Sequence, residues 1–376
     1  MWLTAGEAIE RLSIKPQTLY ASVSRGRVRA KPDPADPRRS LYSAADVERL
    51  AARRAGRPSA REVAADAIRW GEPVLPSAIS TVIEGRLYYR GEDAASLAET
   101  ATAEDVARLL WAADGPLELG STKLAAAADE RGLPALFSHL AAVVTVAPHS
   151  RGLGERALII EACRVLAATA NVLCGPGAEP IHMRLARRWG RADAAELLRR
   201  TLVLLADHEL NASTFAGRVA VSTGASLPSG MLAALATLTG PLHGSAALAA
   251  RLLARRAGEI GASAAISERL AEGRAVPALG HPLYPDGDVR ARALLAAFQP
   301  PAVYRDLAAA SEDTVGEAPN VDFALAALAD VLALPETAPV ELFAMARSVG
   351  WLAHMLEQAQ SGALIRPRAR YVGRRP

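Results

Sequence analysis

Only two cysteines occur in 376 residues, too few for a disulfide framework. Cys163 and Cys174 stand eleven residues apart, about three helical turns, so they share a face yet lie too far apart to bridge. They read as small core residues in a reducing cytosol. Aromatics are also scarce, at 5%, and the apolar content of 51% is inflated by alanine. No signal peptide opens the chain, and no long uncharged apolar run marks a membrane span. A cytoplasmic protein without membrane contact is expected. The seven histidines lack H-x-x-x-H or similar ligand spacing, so no metal is expected. No repeat of solenoid type is present.

What the chain has in quantity is helix formers: Ala, Leu, Arg and Glu favour a mainly all-α protein, and the length allows more than one domain. The net charge is only +3 but uneven. Residues 1–61 hold 13 Lys/Arg against 6 Asp/Glu, net +7, while the remainder is net −4. That asymmetry sets the N-terminus apart as a unit with its own partner.

Within residues 1–56, Thr4 with Glu7 predicts a capped helix to Leu12. Pro16 opens a second helix, Gln17 to Ser24, closed by Gly26. Strands at Val28 to Ala30 and Ser40 to Tyr42 flank a Pro/Asp-rich loop, and Ser43 caps a third helix, Ala44 to Ala52. The pattern Leu3-Thr4-Ala5, Pro16-Gln17-Thr18-Leu19-Tyr20, Arg25-Gly26 and Leu41-Tyr42 resembles MerR/excisionase-like DNA-binding modules. That resemblance implies a winged helix-turn-helix. Gln17, Thr18, Tyr20 and Ser22 would face the major groove; Arg25, Arg27, Arg29, Lys31, Arg38 and Arg39 would approach phosphates. A compact linker, 55–60, follows. Strand-like pieces fall at 74–75 and 77–84, then amphipathic helices run from Ala94, with Thr102 and Asp105 at capping-box distance. The C-terminal segment reads as one long helix, Glu341 to Gln360, and a basic tail.

Three histidines and one aspartate lie beside helix breakers: His208 in Asp207-His208-Glu209-Leu210-Asn211, His243 in Gly240-Pro241-Leu242-His243-Gly244, His281 in Gly280-His281-Pro282-Leu283-Tyr284, and Asp322 in Pro319-Asn320-Val321-Asp322. Each belongs at a helix end, where polar titratable groups around one cleft suit acid–base work on a carbonyl. Together with Gly85-Arg86-Leu87-Tyr88-Tyr89-Arg90-Gly91, Asp288-Val289-Arg290, Arg347 and Arg366, these motifs stand in the order and approximate spacing of the citrate synthase family, which residues 66–373 resemble.

The resemblance implies a citrate synthase-like large domain, 57–243 plus 334–376, and a small domain, 244–333, after the N-terminal module. It implies condensation of acetyl-CoA with oxaloacetate to give citrate and CoA. Asp322 would be the base, His243 would stabilise the enolate oxygen with its tautomer fixed by backbone partners, and His281 would donate to the oxaloacetate carbonyl. His208, Arg290 and Arg347 would bind the dicarboxylate, since planar guanidiniums suit carboxylates. Arg366 would reach the partner's site in a homodimer. Backbone at Ala278, Leu279 and Gly280 would meet the CoA thioester, a co-substrate; no permanently bound cofactor is implied. His139, His149, His182 and His354 are expected to be structural, His354 on the exposed or interface side of the last helix.

The chain departs from the family after His243-Gly244, where Ser245-Ala246-Ala247 replaces a small glycine and Ala-Asn-Glu. Pro282 and Pro285 replace two cations beside the CoA position, for which Arg274 is a candidate substitute. One methylene separates acetyl from propionyl, roughly 1–3 kcal/mol in a pocket, so 2-methylcitrate synthesis stays open. A DNA-binding regulator with a metabolite-sensing body is the reading from a different class.

Overall fold

A computed structural model describes residues 2–12, 14, 19, 22–23, 28–34, 36, 39–48, 75–119, 131–369 and 371–374. The chain divides into two compact units, Met1–Pro76 and Ser77–Pro376. In the first, β1 (Trp2–Leu3), β2 (Ala30–Pro32) and β3 (Ser40–Ser43) form an antiparallel sheet in the order β1-β3-β2. Helix α1 (Ala5–Leu12) starts with the expected reciprocal cap: the Thr4 N–H donates to Glu7 Oε2 at 2.8 Å and the Glu7 N–H to Thr4 Oγ1 at 3.4 Å. Leu3, Ala8, Leu12, Leu19, Val28, Tyr42, Ala44 and Val47 form its core.

The second strand starts two residues later than expected, because Val28 is a core residue and Ala30 is the first to pair, with Tyr42. Arg29, expected near phosphates, pairs with Asp46, its Nε 2.7 Å from Oδ2, and its side chain stays largely exposed. Gln17, Thr18, Tyr20, Arg25, Arg27 and the 55–60 linker lie outside the described residues.

The second unit opens with a meander, β4 (Ser80–Ile83), β5 (Arg86–Tyr89) and β6 (Glu92–Asp93). The single strand expected over 77–84 is thus the first arm of a hairpin. Glu84 (φ 51°) and Gly85 (φ 70°) make its two-residue turn, whose left-handed backbone matches strand twist. The helices that follow are α2 (Ala94–Thr100), α3 (Ala103–Leu110), α4 (Leu133–Val144), α5 (Glu155–Cys174), α6 (Ile181–Arg188), α7 (Ala195–Leu205), α8 (Ala212–Ser222) and α9 (Leu227–Leu238). Then come α10 (Ala246–Ile260), α11 (Ala262–Ala271), α12 (Val289–Leu295), α13 (Ala302–Val315), α14 (Val321–Val331) and α15 (Ala338–Ser361). The mainly helical expectation holds, and the Thr102–Asp105 capping box opens α3.

Two apolar clusters organise these helices. The larger gathers α2 to α9, α12 and α15, with buried Cys163 and Cys174 within it. Helix α5 is long and apolar enough to cross a membrane, but 72% of that stretch is buried in this core. The smaller cluster draws its buried members from 250–327, on α10, α11, α13 and α14. Helix α14 serves both: Phe323, Ala326 and Ala327 face the smaller cluster, while Ala324, Leu325 and Leu328 face the larger. That two-sided packing brings the first turn of α14, with Asp322, to the seam between the clusters.

Candidate active site

Four loops converge on the seam. The first links α7 to α8 and carries Asp207 and His208, both buried. Asn211 ends it as the cap of α8, its Oδ1 accepting the Ser213 and Thr214 N–H groups at 3.1 Å each. The second loop follows α9, where the His243 N–H closes a turn onto Gly240 O at 2.9 Å. The third precedes α12 and holds His281 and Tyr284. The fourth caps α14: the Asp322 N–H donates to Asn320 Oδ1 at 3.0 Å. The third and fourth are laced together, because Gly280 N donates to Ala318 O at 2.8 Å and Asn320 N to Ala278 O at 3.0 Å.

Two buried guanidiniums lie at the centre. Asp288 caps α12 and receives Arg290 twice, from Nε at 3.0 Å and Nη2 at 2.8 Å, while its Oδ2 also takes the Val321 N–H at 3.0 Å. Burial would lower the Arg290 pKa, but Asp288 outweighs it and holds the group above its ordinary value. Arg347, on α15, donates from Nε to Leu205 O at 2.9 Å and lies 4.6 Å over the Phe343 ring. Burial pushes it down to about 10, opposed by Asp207, so it stays charged at neutral pH. The charge of Arg347 acts on His208, His243, His281 and Asp322, and that of Arg290 on His208, His281 and Asp322. Groups from four separate loops therefore feel Arg347, and those from three of them also feel Arg290.

Burial decides protonation, and those fields reinforce or oppose it. Burial, reinforced by the two arginines, holds His208 well below the ordinary imidazole range. Burial and Arg347 bring His243 to about 4; burial and Arg290 bring His281 to about 4. All three are neutral donors at neutral pH. His281 Nδ1 accepts the Leu283 N–H at 3.2 Å, which puts its own proton on Nε2. Asp322 is largely but not fully buried. Burial raises its carboxyl to about 6, against the pull of Arg290. The helix N-terminus and both cations favour the carboxylate, and desolvation still wins.

Known proteins resemble this chain over most of its length. Residues 68–368 match the family model "Citrate synthase, C-terminal domain". The chain belongs to the citrate synthase family. It is 30% identical to citrate synthase 2 of Bacillus subtilis over 353 residues, covering 81% of this chain and 94% of that protein. It is 29% identical to the 2-methylcitrate synthase of Shewanella oneidensis, with the same coverage. Among solved structures, citrate synthase of Thermotoga maritima matches at TM-score 0.66 and 28% identity, over 81% of this chain and 94% of that one. Citrate synthase of Thermoplasma acidophilum, a ternary complex with carboxymethyl coenzyme A and oxaloacetate, matches at 0.68 and 25%, over 81% and 95%. The protein is an enzyme of the acyl-transferring condensation type, and the family needs no permanent cofactor.

Against the citrate synthase pattern, Arg366 is exposed on the tail after α15 and no site group responds to it within the protomer, among the described residues. At the expected CoA loop, Ala278 O and Gly280 N are already engaged by Asn320 and Ala318. Arg274 is paired with Glu272 on the surface.

Two expectations need correction. His354 is 1% exposed, not on an outer face, because α15 is buried on nearly every side. Its Nδ1 accepts a hydrogen bond from Arg218 Nη1 at 3.3 Å, so Nε2–H points to Asp207 Oδ2 at 3.2 Å. His243 is held not by backbone but by a side chain: its Nε2 lies 2.8 Å from Ser213 Oγ. That hydroxyl also accepts from Trp351 Nε1 at 3.1 Å and lies 2.7 Å from Asn211 Oδ1. Sequence reasoning assigned no role to Ser213, Trp351, Asp288 or Tyr284. Asp288 and Tyr284 stand inside the quoted motifs, but which side chain each would meet is set by the tertiary fold.

Proposed function

We propose that this protein condenses acetyl-CoA with oxaloacetate, giving citrate and CoA. The observation that carries the reading is the gathering of Asp322, His208, His243 and His281 in the field of Arg347, with Arg290 acting on all of them but His243.

Asp322 takes a proton from the acetyl methyl group. A carboxyl raised to about 6 is still mostly ionised at neutral pH and is a stronger base than an ordinary one. His243 donates to the thioester oxygen as the enolate forms. For that, the Ser213 proton turns to His243 Nε2 and the imidazole proton sits on Nδ1; Asn211 Oδ1, with two backbone N–H groups, can release the hydroxyl. The new C–C bond joins the methyl carbon to the oxaloacetate carbonyl carbon, and the proton on His281 Nε2 passes to the emerging alkoxide. Water then cleaves the thioester and CoA leaves as a thiol. Arg290, Arg347 and His208 hold the carboxylates.

Residues 244–333 would act as the small domain that closes over the substrates, and Arg366 would serve the partner's site in a homodimer. Propionyl-CoA is the alternative donor, because relatives of near-equal identity carry both names. A second reading, a DNA-binding regulator, is favoured by the separate basic N-terminal unit. A thiol-release assay with oxaloacetate and each acyl-CoA decides. Turnover with acetyl-CoA preferred is expected. No CoA release from either donor, alongside retardation of its promoter DNA in a gel, overturns the enzyme reading.

A further inference from the structure

Tyr284 sits where the site's polar groups crowd together. It is 2% exposed, and its hydroxyl lies 2.9 Å from His208 Nε2. The rings of His208, His281 and Tyr284 form a triangle with centroid separations of 4.8, 5.2 and 5.5 Å. The Arg290 guanidinium stands 5.3 Å over the Tyr284 ring. Its backbone N–H donates to His281 O at 2.8 Å, so the same residue that meets His208 also shapes the His281 turn. His208 comes from the loop after α7 and Tyr284 from the loop before α12.

A buried phenol proton needs an acceptor, and leaving it without one costs roughly 1–3 kcal/mol. Among the described residues, His208 Nε2 is the acceptor within reach of Tyr284 Oη. The reverse arrangement, with the imidazole donating to the phenol oxygen, strands the hydroxyl proton. We propose that Tyr284 is a positioning residue: its hydroxyl donates to His208 Nε2, fixes the His208 proton on Nδ1, and so leaves Nδ1–H as the donor offered to the substrate's carboxylate. This rests on the functional reading above for the identity of the substrate, not for the tautomer. A dicarboxylate gains from a neutral donor that cannot flip to an acceptor, because a lone pair facing a carboxylate repels it.

The test is Tyr284→Phe in the full-length protein. The ring, and with it the Arg290 and histidine contacts, is kept; only the hydroxyl is lost. Oxaloacetate affinity by calorimetry, without acyl-CoA, should fall about tenfold, while the acyl-CoA KM stays close to wild type. A purely structural tyrosine would move both together. Histidine-selective 15N NMR, with His208 assigned by comparison with His208→Asn, should show the proton on Nδ1 in the wild type and lose that single tautomer in the variant. A wild-type proton on Nε2, or unchanged oxaloacetate affinity in Tyr284→Phe, overturns the proposal. If the expected tautomer appears but the wild type binds no oxaloacetate, the functional reading fails while the hold of Tyr284 on His208 stands.

Discussion

At Asp322 two effects oppose each other, and the winner sets both rate and stability. Desolvation raises the carboxyl to about 6, more than the arginines lower it. In the unfolded chain the group titrates near 4, so between about 4 and 6 the folded state binds more protons. Stability from this site is therefore lost as pH rises through that window and stays lost above it. Asp322→Asn should stabilise the protein by on the order of 1–3 kcal/mol at pH 8 and by nothing at pH 4, measured as denaturant midpoints at the two pH values. The same substitution should cut kcat by about 100-fold or more and leave oxaloacetate affinity within a few-fold, since it removes the base and not the carboxylate clamp. In the wild type, kcat/KM should rise through an apparent pKa of about 6. The histidines cannot supply that limb, because His243 and His281 titrate at about 4. An acid limb at 4 would contradict the assignment of the base.

At the scale of the element, the long helix α15 shows how much the sequence could and could not say. Its extent was legible, since Pro339 is allowed in a first turn and Gly362 ends it at φ 64°. The reciprocal caps at Thr4 and Thr102 were legible for the same local reason. Which way α15 faces was not. A helix buried on almost every side has no apolar stripe to read, so His354 passed for a surface residue. The site divides likewise. Glycine, proline and asparagine beside His243, His281 and Asp322 announced helix ends, but the partnership of His243 with Ser213 spans 30 residues and that of His208 with Tyr284 spans 76. Gly350 makes the packing of α15 testable. Its N–H donates across to Ala206 O at 3.0 Å, and a methyl group there would fall far inside contact distance of that oxygen and of the Asp207 carboxylate. Glycine to alanine within a helix ordinarily gains about 1 kcal/mol. Here overpacking costs about 1–3 kcal/mol against immovable backbone, so Gly350→Ala should be net destabilising. It should also raise the oxaloacetate KM, because it pushes on the turn that carries His208. A raised unfolding midpoint would show that α15 does not approach that turn so closely.

For the whole molecule, the question is why a cluster this complete leaves Arg366 outside it. Four loops and both central cations come from one protomer, while Arg366 is exposed on an extended tail. In the proposed homodimer, twofold symmetry turns the role of Arg366 into arithmetic. A protomer with Asp322→Asn keeps a good Arg366 but has a dead base. A protomer with Arg366→Ala keeps its base but starves its partner's site. In a hybrid dimer, the site with the intact Asp322 receives the intact Arg366 across the interface, and the other site lacks both. Equal mixing makes half the dimers hybrids with one sound site each, so about a quarter of wild-type activity should appear from two nearly inactive proteins. The measurement is thiol release after the two variants are denatured, mixed and refolded together, against each refolded alone. If Arg366 served its own protomer, every site in the mixture would lack either the base or the cation, and co-refolding would restore nothing.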